Sequence, residues 1–191
     1  NPAGKTACKL ALQKELGFTP DASTPMLVLI SRLVEQKGLD LLTFMLEELL
    51  REDLQLVICG VGDEKYESAF RYWAGQLPQK LSANILFSEP FSHKLYAAGD
   101  LLLMPSQFEP CGLSQMICMR YGTLPLVRET GGLKDSVIPY NQYTGEGNGF
   151  SFANYNAHEL LHCIQYAAGI YRSEPEHWAA LQQHAFSADF S

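Results

Sequence analysis

Four short stretches, apolar or nearly so, limit the fold more than anything else in this chain. They are Met26-Leu27-Val28-Leu29-Ile30, Gln55-Leu56-Val57-Ile58-Cys59, Leu101-Leu102-Leu103-Met104 and Leu124-Pro125-Leu126-Val127. None alternates apolar with polar residues, so none suits a strand with one wet face. Unbroken runs of this length fit strands buried on both sides of a parallel sheet. Each runs into a polar or glycine-bearing turn. Ser31 to Gly38 follows the first run, and a helix comes next with Leu39, Leu42, Leu46, Leu49 and Leu50 on one face. The second leads through Gly60-Val61-Gly62-Asp63 into a helix from Glu64 to Gln76. Weaker signals predict strands over Asn84 to Phe87 and Gly149 to Phe152, and helices over Thr6 to Leu16 and Pro90 to Ala98. Two more helices follow, from Asn156 (its cap) to Tyr171 and from Glu174 to Phe186. Between them, Pro139 to Asn148 reads as a mobile surface loop. Strands and helices alternating every 20 to 30 residues or so predict an α/β fold, a Rossmann-like doubly wound parallel sheet. No repeat or linker divides it, so residues 1–191 are expected to form one domain.

Composition removes several classes of function. With 21 acidic and 14 basic residues the net charge is −7, which disfavours a general nucleic-acid or membrane-surface binder. No apolar run approaches the roughly 20 residues that span a bilayer. The five cysteines (8, 59, 111, 118 and 163) are an odd set with no Cys-x-x-Cys pair, so neither a disulfide framework nor a zinc site is expected. A reduced, cytoplasmic setting fits them. The start, Asn1-Pro2-Ala3-Gly4-Lys5, has neither an initiator methionine nor the pattern of a signal peptide. A fragment or a processed product is the expectation.

The turns carry the chemistry. After Leu101–Met104 comes Pro105-Ser106-Gln107-Phe108-Glu109-Pro110-Cys111-Gly112, then a helix start in which Leu113, Met116 and Ile117 share one face. The first amides of such a helix lack partners inside it and point at whatever lies in front. Gly112 lets a ligand approach the backbone, and Glu109 falls at the strand's carboxyl end, where open α/β sheets hold their ligands. Arg32 and Lys37 share the turn after the first strand, and two cations there suit a diphosphate; solvated surface charge is the plain alternative. Gly131-Gly132 is a second candidate cradle of amides. Gly60-x-Gly62 is half of a dinucleotide fingerprint, with Lys65 in place of the third glycine, and indicates a tight turn beside a cleft. Gly4-Lys5-Thr6 lacks the upstream glycine and strand of a phosphate-binding loop and reads as plain helix. His93 could face the cleft, although packing or surface suits it better, and the other histidines read as surface. Together these turns predict a sugar-nucleotide site.

Three stretches resemble the glycogen and starch synthases. They are Ser31-Arg32-Leu33-Val34-Glu35-Gln36-Lys37-Gly38-Leu39-Asp40, Pro105 to Gln115, and Arg120 to Val127 continuing to Thr130-Gly131-Gly132-Leu133. Glu109-Pro110-Cys111-Gly112-Leu113-Ser114-Gln115 carries the likeness furthest. Ile117 stands where the wider group of sugar-nucleotide transferases has a second glutamate. The resemblance implies one half of a two-domain GT-B glycosyltransferase, the carboxyl-terminal donor-binding domain. The amino-terminal domain, which carries the acceptor groove for an α-1,4-glucan, would be absent from this chain. Arg32 and Lys37 would then neutralise the diphosphate of ADP-glucose. The backbone from Cys111 and Gly112 through Leu113 and Ser114 would hold the distal phosphate, with Gln115 part of the motif. Glu109 would orient the glucose, and Phe87 falls where relatives place a ring on adenine. The implied reaction is glucosyl transfer from ADP-glucose with retention, without a metal or other cofactor and with neither nucleic acid nor membrane as a partner. The fragment alone should be inactive or nearly so. A UDP- or GDP-sugar transferase of the same fold and a non-catalytic nucleotide-binding module stay open as alternatives.

Overall fold

A computed structural model describes residues 2–107, 113–130 and 136–188. The four apolar runs form the middle of a six-stranded sheet: β1 (Met26–Ile30), β2 (Gln55–Cys59), β4 (Leu101–Met104) and β5 (Leu124–Arg128). Their side chains are almost wholly buried, as runs without polar alternation require. β3 (Leu81–Asn84) and β6 (Phe150–Phe152) form the edges. The strand order is β3-β2-β1-β4-β5-β6, and every pairing is parallel. The chain therefore steps outward from β1 to β3, then returns to place β4 on the other side of β1. Between β1 and β4 lies the point where the winding reverses, the place where doubly wound sheets open a crevice at the strands' carboxyl ends.

Eight helices are described: α1 (Pro2–Glu15), α2 (Leu39–Phe44), α3 (Leu46–Leu49), α4 (Glu64–Gln76), α5 (Glu89–Ala98), α6 (Leu113–Arg120), α7 (Ala157–Ser173) and α8 (Pro175–Phe186). Helix α2 packs on α4 and α7, whereas α5 packs on α1 and α6, and α6 on α8. Asn156 caps α7 as expected, accepting from the amides of His158 and Glu159.

Several boundaries differ from the sequence expectation. The leucine-rich helix after β1 breaks into α2 and α3 at Met45, whose φ of −107° and ψ of 12° leave the helical region. β3 lies three residues earlier than expected, so Phe87 falls in the loop behind it. Its Leu-Ser-Ala-Asn sequence carries little apolar signal because an edge strand is only half covered. In α6 the buried residues are Gln115, Cys118 and Met119, while Leu113 is 57% exposed. The helix is barely amphipathic, and packing against β5 and α8 chooses its inner face.

Loop 139–148 is largely exposed, as expected of a surface loop, and it is also heavily bonded. Asn148 Oδ1 accepts from the Ile138 amide, Asn141 Oδ1 from the amides of Tyr143 and Thr144, and the Asn148 amide donates to the Ile138 carbonyl. Two histidines of α8 hold it: half-buried His177, whose Nδ1 meets Tyr140 Oη at 2.5 Å, and His184, exposed as expected, whose Nδ1 meets the Gly147 carbonyl at 2.8 Å.

At the opposite end of the sheet two lysines of α1 are engaged. Lys9 pairs with Asp100 at 2.8 Å, with side chains only 4% and 8% exposed, and also donates to the Ala22 carbonyl and Tyr171 Oη. Asp100 Oδ2 accepts the amide of Met26, and burial pushes this carboxyl up against the pull of Lys9. Lys5 donates to the Tyr96 and Ala97 carbonyls and to Thr123 Oγ1, and burial lowers its ammonium to about 8. This lysine of Gly4-Lys5-Thr6 is thus a fastener for α1, consistent with the plain helix expected there.

Candidate functional site

The loops after β1 and β4 flank the reversal point, and main-chain contacts bind them together. Residues Glu35–Lys37 form a single 3₁₀ turn ended by Gly38 at φ 81°. A Cβ at Gly38 would lie 2.0 Å from the Pro105 carbonyl oxygen, so glycine alone lets the two loops touch. Two residues on, the Gln107 amide donates to the Gln36 carbonyl at 2.8 Å. The loop after β2 joins from the other side. The Leu33 amide donates to the Val61 carbonyl, and the Asp63 amide donates to the Leu33 carbonyl. Gly60 and Gly62 press on the carbonyls of Ser31 and Leu33, where any side chain would collide. The half fingerprint is explained by this close approach of two loops.

Arg32 lies exposed at the start of the β1 loop, and Lys37 is half-buried at the end of its turn. Both cations therefore border the reversal point. Phe87 is 69% exposed at the carboxyl end of β3, directly before Ser88, which caps α5 by accepting from the Phe91 amide. An open aromatic face on the same edge of the sheet can stack on a base.

The first turn of α6 divides its duties. The Ser114 hydroxyl is hydrogen-bonded to the Tyr96 side chain, whose phenol burial pushes up. The hydroxyl is thus spent inside the domain, and the amides of Leu113 and Ser114 remain as first-turn donors with no partner within the helix. Gln115 is fully buried, and its Nε2 donates to Ser136 Oγ, so its carboxamide fastens α6 to the chain beyond β5. The Thr130 hydroxyl, just before the paired glycines, is buried without a partner among the described residues. Glu109, Cys111, Gly112, Gly131 and Gly132 lie outside the described residues. His93 meets Tyr121 Oη at 3.1 Å on the α5 surface, a packing contact.

Sequence reasoning missed Arg128. This residue ends β5, donates from Nε to the Ser106 carbonyl at 3.0 Å and from Nη2 to the Gln107 carbonyl at 2.6 Å, and lies 5.7 Å over the Tyr155 ring. Burial raises the Tyr155 phenol. A cation closing an otherwise buried strand was the available signal. Among the described residues, no group of three or more His, Cys, Asp and Glu is placed to hold a metal, and no helix is long and apolar enough to cross a membrane.

A parallel sheet in this order is a Rossmann-like domain, and comparison with known proteins makes it one half of a GT-B glycosyltransferase. Residues 17–172 match the family model described as "Glycosyl transferases group 1", and the chain belongs to that family. It is 54% identical over 183 residues to the glycogen synthase of Lachnospira eligens, covering 96% of this chain and 38% of that enzyme. It is 54% identical over 187 residues to the glycogen synthase of Clostridium acetobutylicum, covering 98% and 39%. The chain thus spans about two fifths of the length of these relatives. Among solved structures, the catalytic domain of starch synthase IV from Arabidopsis thaliana, bound to ADP and acarbose, superposes with a TM-score of 0.89. Its sequence is 34% identical, and the match covers 98% of this chain and 39% of that one. Sucrose-phosphate synthase from Thermosynechococcus elongatus, at 20% identity, TM-score 0.65 and 91% and 44% coverage, shares the fold.

Proposed function

We propose that this chain is the donor-binding half of a cytoplasmic glycogen (starch) synthase. The whole enzyme would transfer glucose from ADP-glucose to the non-reducing end of an α-1,4-glucan with retention. The observation that carries this reading is the joining of two loops at the reversal point. One bears Arg32 and Lys37, the other leads through Gln107 to Glu109, and the Gln107 amide binds them at the Gln36 carbonyl. The likeness to glycogen synthases and to an ADP-bound starch synthase supports ADP-glucose as the donor.

Breaking the bond from the anomeric carbon to the diphosphate builds negative charge on the leaving oxygen. Arg32, Lys37 and the amides of Gly112, Leu113 and Ser114 would meet that charge, with Cys111 and Gln115 belonging to the same sequence motif and Gly131 and Gly132 as candidates for further amides. Such fixed donors act most strongly on the transition state, and loss of one typically costs about 3–4 kcal/mol. Glu109 orients the glucose and complements oxocarbenium charge. Phe87 stacks on adenine. The charges are supplied by the protein itself, so the reading requires no metal.

Titration calorimetry of the chain with ADP, UDP and GDP tests it. ADP should bind most tightly. Arg32→Ala or Lys37→Ala should weaken it at least tenfold, since a charge-assisted hydrogen bond contributes about 1.5–3 kcal/mol. Equal heats for the three nucleotides would refute ADP-glucose as donor, and unchanged affinity in both variants would remove the two cations from the site. No glucan elongation is expected from the chain alone.

A further inference from the structure

We propose that Arg128 is a positioning residue that sets, through the main chain, how the Ser106–Gln107 segment behind β4 sits against the Lys37 turn; the proposal rests on the functional reading above. The peptide unit between Ser106 and Gln107 is held at both ends. Its carbonyl accepts from Arg128 Nε at 3.0 Å, and its N–H donates to the Gln36 carbonyl at 2.8 Å. The next carbonyl, that of Gln107, accepts from Arg128 Nη2 at 2.6 Å. Two consecutive carbonyls gripped by one planar guanidinium fix the backbone direction with which the chain leaves β4, two residues before Glu109.

The grip also reaches the cation loop. Gln36 lies next to Lys37, and the Gln107 amide joins the loop that Arg128 holds to the turn that Lys37 ends. Arg128 itself is fixed by β5, whose register places it opposite Phe152, and by the Tyr155 ring beneath the guanidinium. The rigid sheet therefore sets the spacing between the Ser106–Gln107 segment and the Lys37 turn. Lysine cannot replace this residue, because an ammonium lacks the planar fork that reaches two neighbouring carbonyls at once.

The test measures ADP and ADP-glucose affinities by calorimetry for the wild-type chain, Arg128→Ala and Arg128→Lys, each with a thermal melt. Arg128→Ala should weaken both ligands at least tenfold, and added methylguanidine should restore most of the loss by refilling the fork. Arg128→Lys, which keeps the charge, should keep the wild-type melt and still bind several-fold more weakly. If both variants bind as the wild type does while Arg32→Ala loses affinity, the positioning role is refuted and the functional reading stands. If affinity falls only in step with the melting temperature and methylguanidine restores nothing, Arg128 is purely structural and the proposal is overturned. A wild-type chain that fails to bind ADP refutes the functional reading, and this role with it.

Discussion

Substituting Gly38 by alanine separates a conformational cost from a steric one, because Gly17 supplies the control. Both glycines are left-handed, with φ of 81° and 82°. A Cβ at Gly17 meets nothing within 4 Å, whereas at Gly38 it lies 2.0 Å from the Pro105 carbonyl oxygen and 2.5 Å from its carbon. Left-handed backbone costs a residue other than glycine about 1–2 kcal/mol, and Gly17→Ala should lose that much. Gly38→Ala adds a collision with main chain that cannot rotate away. Forced overpacking costs about 1–3 kcal/mol, so the total should reach about 2–5 kcal/mol. Urea unfolding with linear extrapolation reads both losses. The collision is relieved only if the Pro105–Gln107 segment moves off the β1 loop, which strains the Gln107-to-Gln36 bond. Gly38→Ala should therefore also weaken ADP binding, while Gly17→Ala should not. Equal stability losses, with equal ADP affinity, would refute the argument that the two loops are in enforced contact.

Three further outcomes follow from the same structure. Lys5, lowered from 10.5 to about 8 by burial, holds fewer protons when folded than when unfolded between those values. Stability relative to Lys5→Met should therefore rise as pH increases from 8 toward 10.5 and stay level below 8; chemical unfolding across that range checks it, and a falling difference would contradict the burial. Asp100→Asn leaves Lys9 charged and buried and should cost about 3–5 kcal/mol in urea unfolding, whereas the joint change Lys9→Met with Asp100→Leu should recover most of it; a loss under 1 kcal/mol would deny the pair its role. Phe87→Ala should weaken ADP about 5- to 150-fold in calorimetry, since stacking one base contributes about 1–3 kcal/mol, and undiminished binding would place the adenine elsewhere.

The middle of the sheet was legible because burial on both faces writes itself into the chain as unbroken apolar runs. Met26 to Ile30 and Leu101 to Met104 begin and end where those runs do. The edge was harder to read: Leu81–Asn84 is half covered, and its sequence says little. The face of α6 was misjudged because Gln115, a polar residue, turns inward to reach Ser136. Loop 139–148 has the composition of a loose connection, yet Tyr140 and Gly147 find histidines nearly forty residues away in sequence, each at a separation of 37. Arg32 and Lys37 could be placed on the loop behind β1 because an unbroken apolar run gives way there to polar residues, whereas Phe87 was marked only by the resemblance and had been read as part of a strand. Arg128 went unnoticed because its partners are two carbonyls, 22 and 21 residues distant, and main-chain acceptors leave no mark on a sequence.

The β1, β2 and β4 loops are stitched together by amides, carbonyls and glycines rather than by side chains. Val34 and Val61 can be exchanged while the lip of the crevice keeps its shape, because the contacts that define it belong to the backbone. A frame of this kind lends itself to acquiring a preference for a different base or sugar through a few surface changes, with the backbone of the lip carried along unaltered.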